Sequence, residues 1–257
     1  MAKDFNARPL VSNIMTQARV DIIVPFHGQY QRLHTLCQGI WRHTKSHNYR
    51  LYIVDDNSPN RTYAPAYREA PRTTVIQNDK QLGFGGALQK GFEAGKNEWV
   101  VFVQSDCAIE YANWLQELLI SHLKNPKAGM VSPRTNNPGV NDPRLKANKT
   151  DPPTQDVVLD KGYLPLYCAL CRRDLFSKIG GFVKPYPLRY YEDEELAHRL
   201  RMHGLEEIVS GASWIYHYGA ATIGPLLKMK REYQTIIEEN RNRCISDLQS
   251  LKVLIDN

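Results

Sequence analysis

Four short β-branched or aromatic runs, each ending in a polar cluster, constrain this chain most. Val20–Pro25 runs into Phe26-His27-Gly28, and Arg50–Val54 into Asp55-Asp56-Asn57-Ser58-Pro59. Thr73–Gln77 runs into Asn78-Asp79, and Glu98–Val103 into Gln104-Ser105-Asp106. Helical spacing fills the gaps: Leu33, Leu36, Cys37 and Ile40 lie within Gln29–Thr44, and Leu82-Gly-Phe-Gly-Gly-Ala87 opens a helix from about Phe84 to Gly95. Strands alternating with helices imply an α/β protein with a mostly parallel sheet flanked by helices. In such sheets ligands gather beyond the carboxyl ends of the strands, where these polar clusters fall.

The second half is less regular. A helix is expected over Trp114–Leu123 and a strand over Gly129–Ser132. Pro133–Asp160 is rich in Pro, Asn, Lys and Asp, so an irregular loop is expected there, of the kind that covers a site. Tyr163–Cys171 has strand character, Arg173–Ile179 and Glu192–His203 read as helices stopped by glycine, and Glu207–Ser210 and Ser213–His217 as two short strands. Leu226–Leu254 carries apolar residues at helical spacing, predicting an amphipathic tail.

Composition narrows the class. In 257 residues the 42% hydrophobic and 23% charged fractions are those of a folded globular chain. The apolar stretches fall far short of the about 18 to 20 residues that span a bilayer. The N-terminal segment lacks the unbroken apolar core of a secretory leader, so a cytoplasmic protein is expected, with peripheral membrane contact left open. Five scattered cysteines predict buried thiols rather than a disulfide framework, and Cys168 and Cys171 have no second pair to make a zinc site. The net charge of +6 is concentrated before residue 72 and at Arg134, Arg144, Lys146 and Lys149, and suits a phosphate-bearing ligand, nucleic acid or an anionic surface.

Single clusters are ambiguous. Asp55 and Asp56 suit either a base or ribose contact or the capping chemistry of a turn. Glycines at a helix start allow close approach to phosphate. One carboxylate at Asp106 suffices for a hard cation whose other ligands are phosphate and water. Tyr190-Tyr-Glu-Asp-Glu-Glu-Leu196 places four acids at a helix start, more than capping requires, and His217 in His-Tyr-Gly219 is a candidate imidazole ligand.

The order of these motifs, from about Val20 to Ile223, resembles the inverting GT-A glycosyltransferases of family 2. The resemblance implies a Rossmann-like GT-A domain over residues 1–225, with a nucleotide-binding half at 20–132, an acceptor and catalytic half at 133–225, and a helical extension at 226–257. It implies a nucleotide-sugar donor, UDP-linked by preference, and Mn2+ or Mg2+. Pro25, Phe26, His27, Asp55 and Asp56 would face base or ribose; Asn78, Gly85 and Gly86 would approach ribose and diphosphate. Gln104, Ser105 and Asp106 occupy the family's D-x-D position, with Asp106 as metal carboxylate and Gln104 replacing the first acid. Asp193 would be the general base, positioned by Glu192 and Glu195, and His217 would reach metal or diphosphate. Acceptor candidates are a saccharide, a lipid-linked saccharide, or DNA bearing hydroxymethylated bases. A binding module without catalysis and a nucleotide-dependent oxidoreductase are the rival classes; the second lacks its glycine-rich first turn.

Overall fold

The computed structural model describes residues 17–45, 48–60, 64–182, 191–219 and 231–255. Tyr190 and the expected start of the tail at Leu226 lie outside them. Strands β1 (Arg19–Phe26), β2 (Asn48–Asp55), β3 (Thr73–Gln77) and β4 (Trp99–Val103) alternate with helices α1 (Tyr30–His43), α2 (Ala64–Arg68) and α3 (Gly83–Ala94). There follow β5 (Cys107–Ala108), α4 (Trp114–Lys124), β6 (Ala128–Thr135), β7 (Val157–Val158), β8 (Cys168–Arg172), α5 (Arg173–Lys178), α6 (Glu192–Met202), β9 (Glu206–His217) and α7 (Arg231–Ile255). Among the described residues these strands form one nine-stranded sheet in the order β3-β2-β1-β4-β8-β6-β9-β5, with β7 paired to β9.

The expected parallel pairing holds for β3-β2-β1-β4. Beyond β4 the sheet is mixed, because β8 enters antiparallel to both β4 and β6. Ile22, Ile23 and Val24 are fully buried, as a parallel strand covered on both faces requires. Leu33, Leu36, Cys37 and Ile40 of α1 cover one face, and Ala87, Leu88 and Phe92 of α3 the other. A Cβ on Gly91 would lie 2.3 Å from Ile23 Cγ2, so glycine is what lets α3 sit this close to β1.

Toward the start of β1, buried Asp21 accepts hydrogen bonds from Asn97 N and Nδ2 at 2.8 and 2.7 Å and pairs with Arg173 Nη2 at 2.8 Å. Arg173 also donates to the carbonyls of Asn97 and Phe92 at 2.7 and 2.6 Å, tying β1, α3 and α5 together.

Three differences from the sequence reading have physical causes. First, β9 is one strand, not two. Its register against β6 shifts between Pro133 and Arg134, and at the shift Gly211 N donates to Asp156 Oδ1 (3.0 Å) while its carbonyl accepts from Thr154 N (2.9 Å). Those bonds replace the ladder where Gly211 and Ala212 interrupt the β pattern. Second, residues 133–160 are pinned rather than loose: β6 continues to Thr135, and β7 pairs with β9 at Val157↔Val209 and Val158↔Ile208. Third, β8 begins at Cys168, so Tyr163–Tyr167 is a segment leading to the sheet. All five cysteines are buried free thiols, as expected.

Candidate functional site

The turn after β4 starts the site. Cys107 N donates to Gln104 O at 3.1 Å and Gln104 N to Tyr167 O at 2.8 Å. The two residues of β5 then run antiparallel to the end of β9, pairing Cys107 with His217, and Tyr218 N donates to Asp106 O at 3.0 Å. This pairing puts Asp106 Oδ1 3.5 Å from His217 Nε2, with the two residues 4% and 6% exposed.

His217 is held on every side. Its ring stacks on Tyr167, with centroids 5.3 Å apart and planes at 22°. Its N donates to Asn136 Oδ1 at 2.9 Å, and Asn136 Nδ2 donates to its carbonyl at 3.1 Å. Nδ1 lies 2.6 Å from Asn137 O. A carbonyl only accepts, so Nδ1 carries a proton and Nε2 is the nitrogen that faces Asp106, the orientation of a metal-ligating histidine.

Two acceptors facing each other need a cation between them, a proton or a metal. Adjacent ligands of an octahedral cation, at about 2.1 Å from it, stand about 3 Å apart, so the observed separation fits a shared ion. Cys107 Sγ is within reach of both ligand atoms. It donates instead to Tyr167 O at 3.3 Å, and burial holds the thiol pKa well above its ordinary value, which keeps it protonated. The donor set is therefore one carboxylate and one imidazole, with the neutral amide of Gln104 nearby where a second acid would stand in the resemblance. Hard oxygen and imidazole ligands suit Mn2+ or Mg2+.

His217 and Gln104 line a cleft of about 370 Å³ together with Tyr163, Tyr191, Glu192, Asp193 and Glu194. The cleft lies at the start of α6, where Tyr191 is left-handed with φ 75°. A non-glycine residue held there is strained, a cost proteins bear at sites that must aim side chains. Asp193 is half-buried, and it and Glu194 add to burial in pushing the Tyr163 phenol up to about 12.

Glu195, expected to position Asp193, does something else. Both its oxygens engage Arg199, at 2.6 and 2.7 Å, and Arg199 Nη1 donates to Ile179 O at 2.5 Å. Glu195 neutralises a buried guanidinium and moors α6 to the end of α5. The i,i+4 spacing of Glu195 and Arg199 was a signal for this.

The half expected to bind a donor is also tied down internally. Asp56 accepts from Asn78 Nδ2 (3.0 Å), Leu82 N (2.7 Å) and Gly83 N (2.9 Å), so its carboxylate caps α3. That anion occupies the helix dipole expected to meet a diphosphate near Gly85 and Gly86, both buried in the first turn of α3. Asp55 is fully buried and accepts from Ser58 N at 2.8 Å, the turn chemistry of the alternative reading. Pro25 and Phe26 are buried at the end of β1, and the Phe26 ring packs in the core. Half-buried His27 remains at the edge, its Nδ1 2.9 Å from Asp56 O.

Three cations of the basic loop make contacts that hold it. Arg144 pairs with Asp142 at 2.7 Å and Asp160 at 2.9 Å, Lys149 pairs with Glu110 at 2.7 Å, and Arg134 donates to Pro152 O at 2.9 Å. These contacts fasten the loop, with the Lys149 side chain still 52% exposed. Asn136, Asn137, Tyr163, Tyr167 and Ile237 were not singled out from the sequence. Asparagines before Pro-Gly look like an ordinary turn, and nothing local reveals that Asn136 and Asn137 hold His217.

A mixed sheet flanked by helices in this order is the GT-A fold, and solved GT-A structures share it. The mannosyltransferase PcManGT from Pyrobaculum calidifontis, in complex with GDP-Man and Mn2+, superposes with TM-score 0.60 at 19% identity over 80% of this chain and 58% of that one. TarS from S. aureus, in complex with UDP-GlcNAc, gives TM-score 0.58 at 18% identity, covering 77% and 58%. GalNAc-T7 with UDP, GalNAc and Mn2+ gives 0.60 at 15%, covering 78% and 44%.

Residues 21–180 match the profile of glycosyl transferase family 2, and the chain belongs to that family. It is 28% identical to a dolichol-phosphate mannosyltransferase of Pyrococcus furiosus over 109 residues, 42% of this chain and 30% of that protein. It is 23% identical over 225 residues to the O-antigen biosynthesis protein RfbC of Myxococcus xanthus, 79% of this chain and 18% of that one. The chain thus spans less than a third of either relative. No helix among the described residues is long and apolar enough to cross a membrane.

Proposed function

We propose that this chain is a glycosyltransferase that moves a hexosyl group from a nucleoside-diphosphate sugar, UDP-linked by preference, to an acceptor hydroxyl with inversion at the anomeric carbon. The observation that carries this reading is one cleft lined by both His217, backed by Asp106, and Asp193. Family membership supports it, as do fold neighbours solved with GDP-Man, UDP-GlcNAc and Mn2+.

Asp106 and His217 would hold the divalent cation. When bound, it supplies positive charge against the diphosphate as that group leaves. Asp193 accepts the proton of the acceptor hydroxyl while that oxygen bonds to the anomeric carbon and the bond to the diphosphate oxygen breaks on the opposite face. Glu192, buried at the same helix start, shapes the field around Asp193. Asp56, Asn78 and His27 fix the base end of the donor through the loops they tie together. Residues 226–257 extend a single catalytic domain, and a saccharide or lipid-linked saccharide is the preferred acceptor. The ion pairs of Arg144 and Lys149 weaken the contribution of those two cations to the DNA alternative.

The test is release of nucleotide from a panel including UDP-glucose, UDP-N-acetylglucosamine and GDP-mannose, with Mn2+, with Mg2+ and with EDTA. Consumption of at least one donor, lost in EDTA and restored by the metal, is the expected result. Failure to consume any donor with either metal contradicts the reading.

A further inference from the structure

Resting on that reading, we propose that Tyr163 contacts substrate, as the aromatic platform on which the acceptor sugar lies beside Asp193, and that the Arg201–Glu207 ion pair positions it. Tyr163 is half-buried and lines the cleft together with Asp193. Both of its neighbours in the chain are tied. Arg201 Nη2 donates to Gly162 O, and Leu164 N donates to Glu207 Oε1 at 2.9 Å. Arg201 Nη2 also donates to Glu207 Oε2 at 3.1 Å, which closes a ring of contacts around the backbone of Tyr163. Arg144 extends the hold one residue back, donating to Lys161 O at 3.0 Å.

The cost of this clamp points to what it holds. Glu207 is 3% exposed, and the desolvation of a buried carboxylate is offset only by well-made bonds to it. Here those bonds come from Leu164 N and from the guanidinium that grips Gly162, so they converge on the one segment that brings Tyr163 to the cleft. Arg201 lies about two turns further along α6 than Asp193. The helix that carries the acid at its start therefore also anchors the segment that carries the ring, and the spacing of the two is set by one rigid element. An aromatic ring suits the C–H face of a pyranose. The phenol, kept protonated by burial and by the charges of Asp193 and Glu194, is a hydrogen-bond donor for a sugar hydroxyl. A sugar seated there has its other hydroxyls beside Asp193, the group read as the base.

The experiment uses the full chain with whichever nucleotide sugar it hydrolyses in the absence of acceptor, and offers it methyl glycosides of glucose, mannose and N-acetylglucosamine. At least one glycoside should be glycosylated by the parent. Tyr163→Ala should raise the KM for that glycoside by on the order of 10-fold while donor KM moves by less than about twofold, and Tyr163→Phe should bring it back to within about threefold of the parent. Arg201→Met keeps the length of the side chain and removes its donors; it should show the same split at about fivefold, and Arg201→Lys should recover most of the loss. A merely structural role would move donor and acceptor terms together. The proposal is overturned if Tyr163→Ala leaves acceptor KM unmoved or moves donor KM equally, or if folded Arg201→Met keeps the parent's acceptor KM. It is equally overturned if donor is hydrolysed while no glycoside is glycosylated. Where Arg201→Met fails to fold, the two Tyr163 variants decide the outcome. Failure to hydrolyse any donor defeats the transferase reading itself, a distinct outcome.

Discussion

His217 Nε2 faces Asp106 Oδ1 across 3.5 Å because a strand of two residues, Cys107–Ala108, joins the turn after β4 to the end of β9. The carbonyl of Asn137 fixes which nitrogen of the ring is left to face the acid. A hydrogen bond to a backbone atom thus sets the chemistry of a side chain in another part of the chain.

If His217 is a cation ligand, His217→Ala raises the Mn2+ concentration for half-maximal turnover by at least ~10-fold, in line with losses seen on disturbing metal sites. A metal titration of nucleotide release measures this. An unchanged midpoint removes His217 from the ligand set.

Gln104 lines the same cleft as a neutral amide. Gln104→Asp adds a hard anionic ligand and should shift the Mn2+ midpoint to lower concentration, by on the order of 10-fold, since carboxylates are the favoured protein ligands of such ions. A midpoint that stays or rises shows that Gln104 is not beside the cation.

Asp21 is fully buried, and its loss leaves Arg173 and Asn97 without their shared acceptor. Breaking a buried pair from one side costs about 3 to 5 kcal/mol. Asp21→Ala should lower Tm by on the order of 10 °C, read by circular dichroism. A shift within experimental error contradicts the role given to this network.

Two buried groups oppose each other in their pH dependence. Burial raises Glu207 to about 7, despite its bond from Leu164 N and its contact with Arg201. Between its ordinary value and 7 the folded chain holds a proton that the unfolded chain has lost, so this group makes stability fall as pH rises through that window. Burial lowers His122 to about 4, so between 4 and its ordinary value the unfolded chain holds the extra proton and stability rises with pH. The slopes cancel over much of pH 4.5 to 6.5. Glu207→Gln should unmask the histidine, giving denaturation midpoints that climb with pH by on the order of 1 kcal/mol per unit across that range relative to the parent. A variant with the parent's pH profile contradicts the raised pKa.

The parallel half of the sheet was legible because β1, β2, β3 and β4 are β-branched or aromatic runs ending in polar clusters, and α1 shows an apolar stripe. The junction that makes the site was not: β5 is two residues long, too short for any periodicity. At the acid cluster, sequence alone makes Glu192, Asp193 and Glu194 look equivalent at a helix start. Glu195 has Arg199 at i+4, and the bond from Arg199 to Ile179 O ties that pair to the end of α5. Asp55 and Asp56 show the reverse: turn and capping chemistry was the alternative reading, and that is the role their hydrogen bonds describe. Ile237 reaches the cleft through tertiary packing of α7, which helical spacing in the tail cannot locate.

On the proposed mechanism Asp193 accepts the acceptor's proton in the cleft that it shares with His217. Asp193→Asn keeps the shape and removes the base, so the decisive measurement pairs donor affinity by calorimetry with the transfer rate. Donor should bind within about threefold of the parent while transfer falls by ~10²- to 10⁴-fold, the typical contribution of a general base. Transfer at the parental rate with donor bound normally would contradict it.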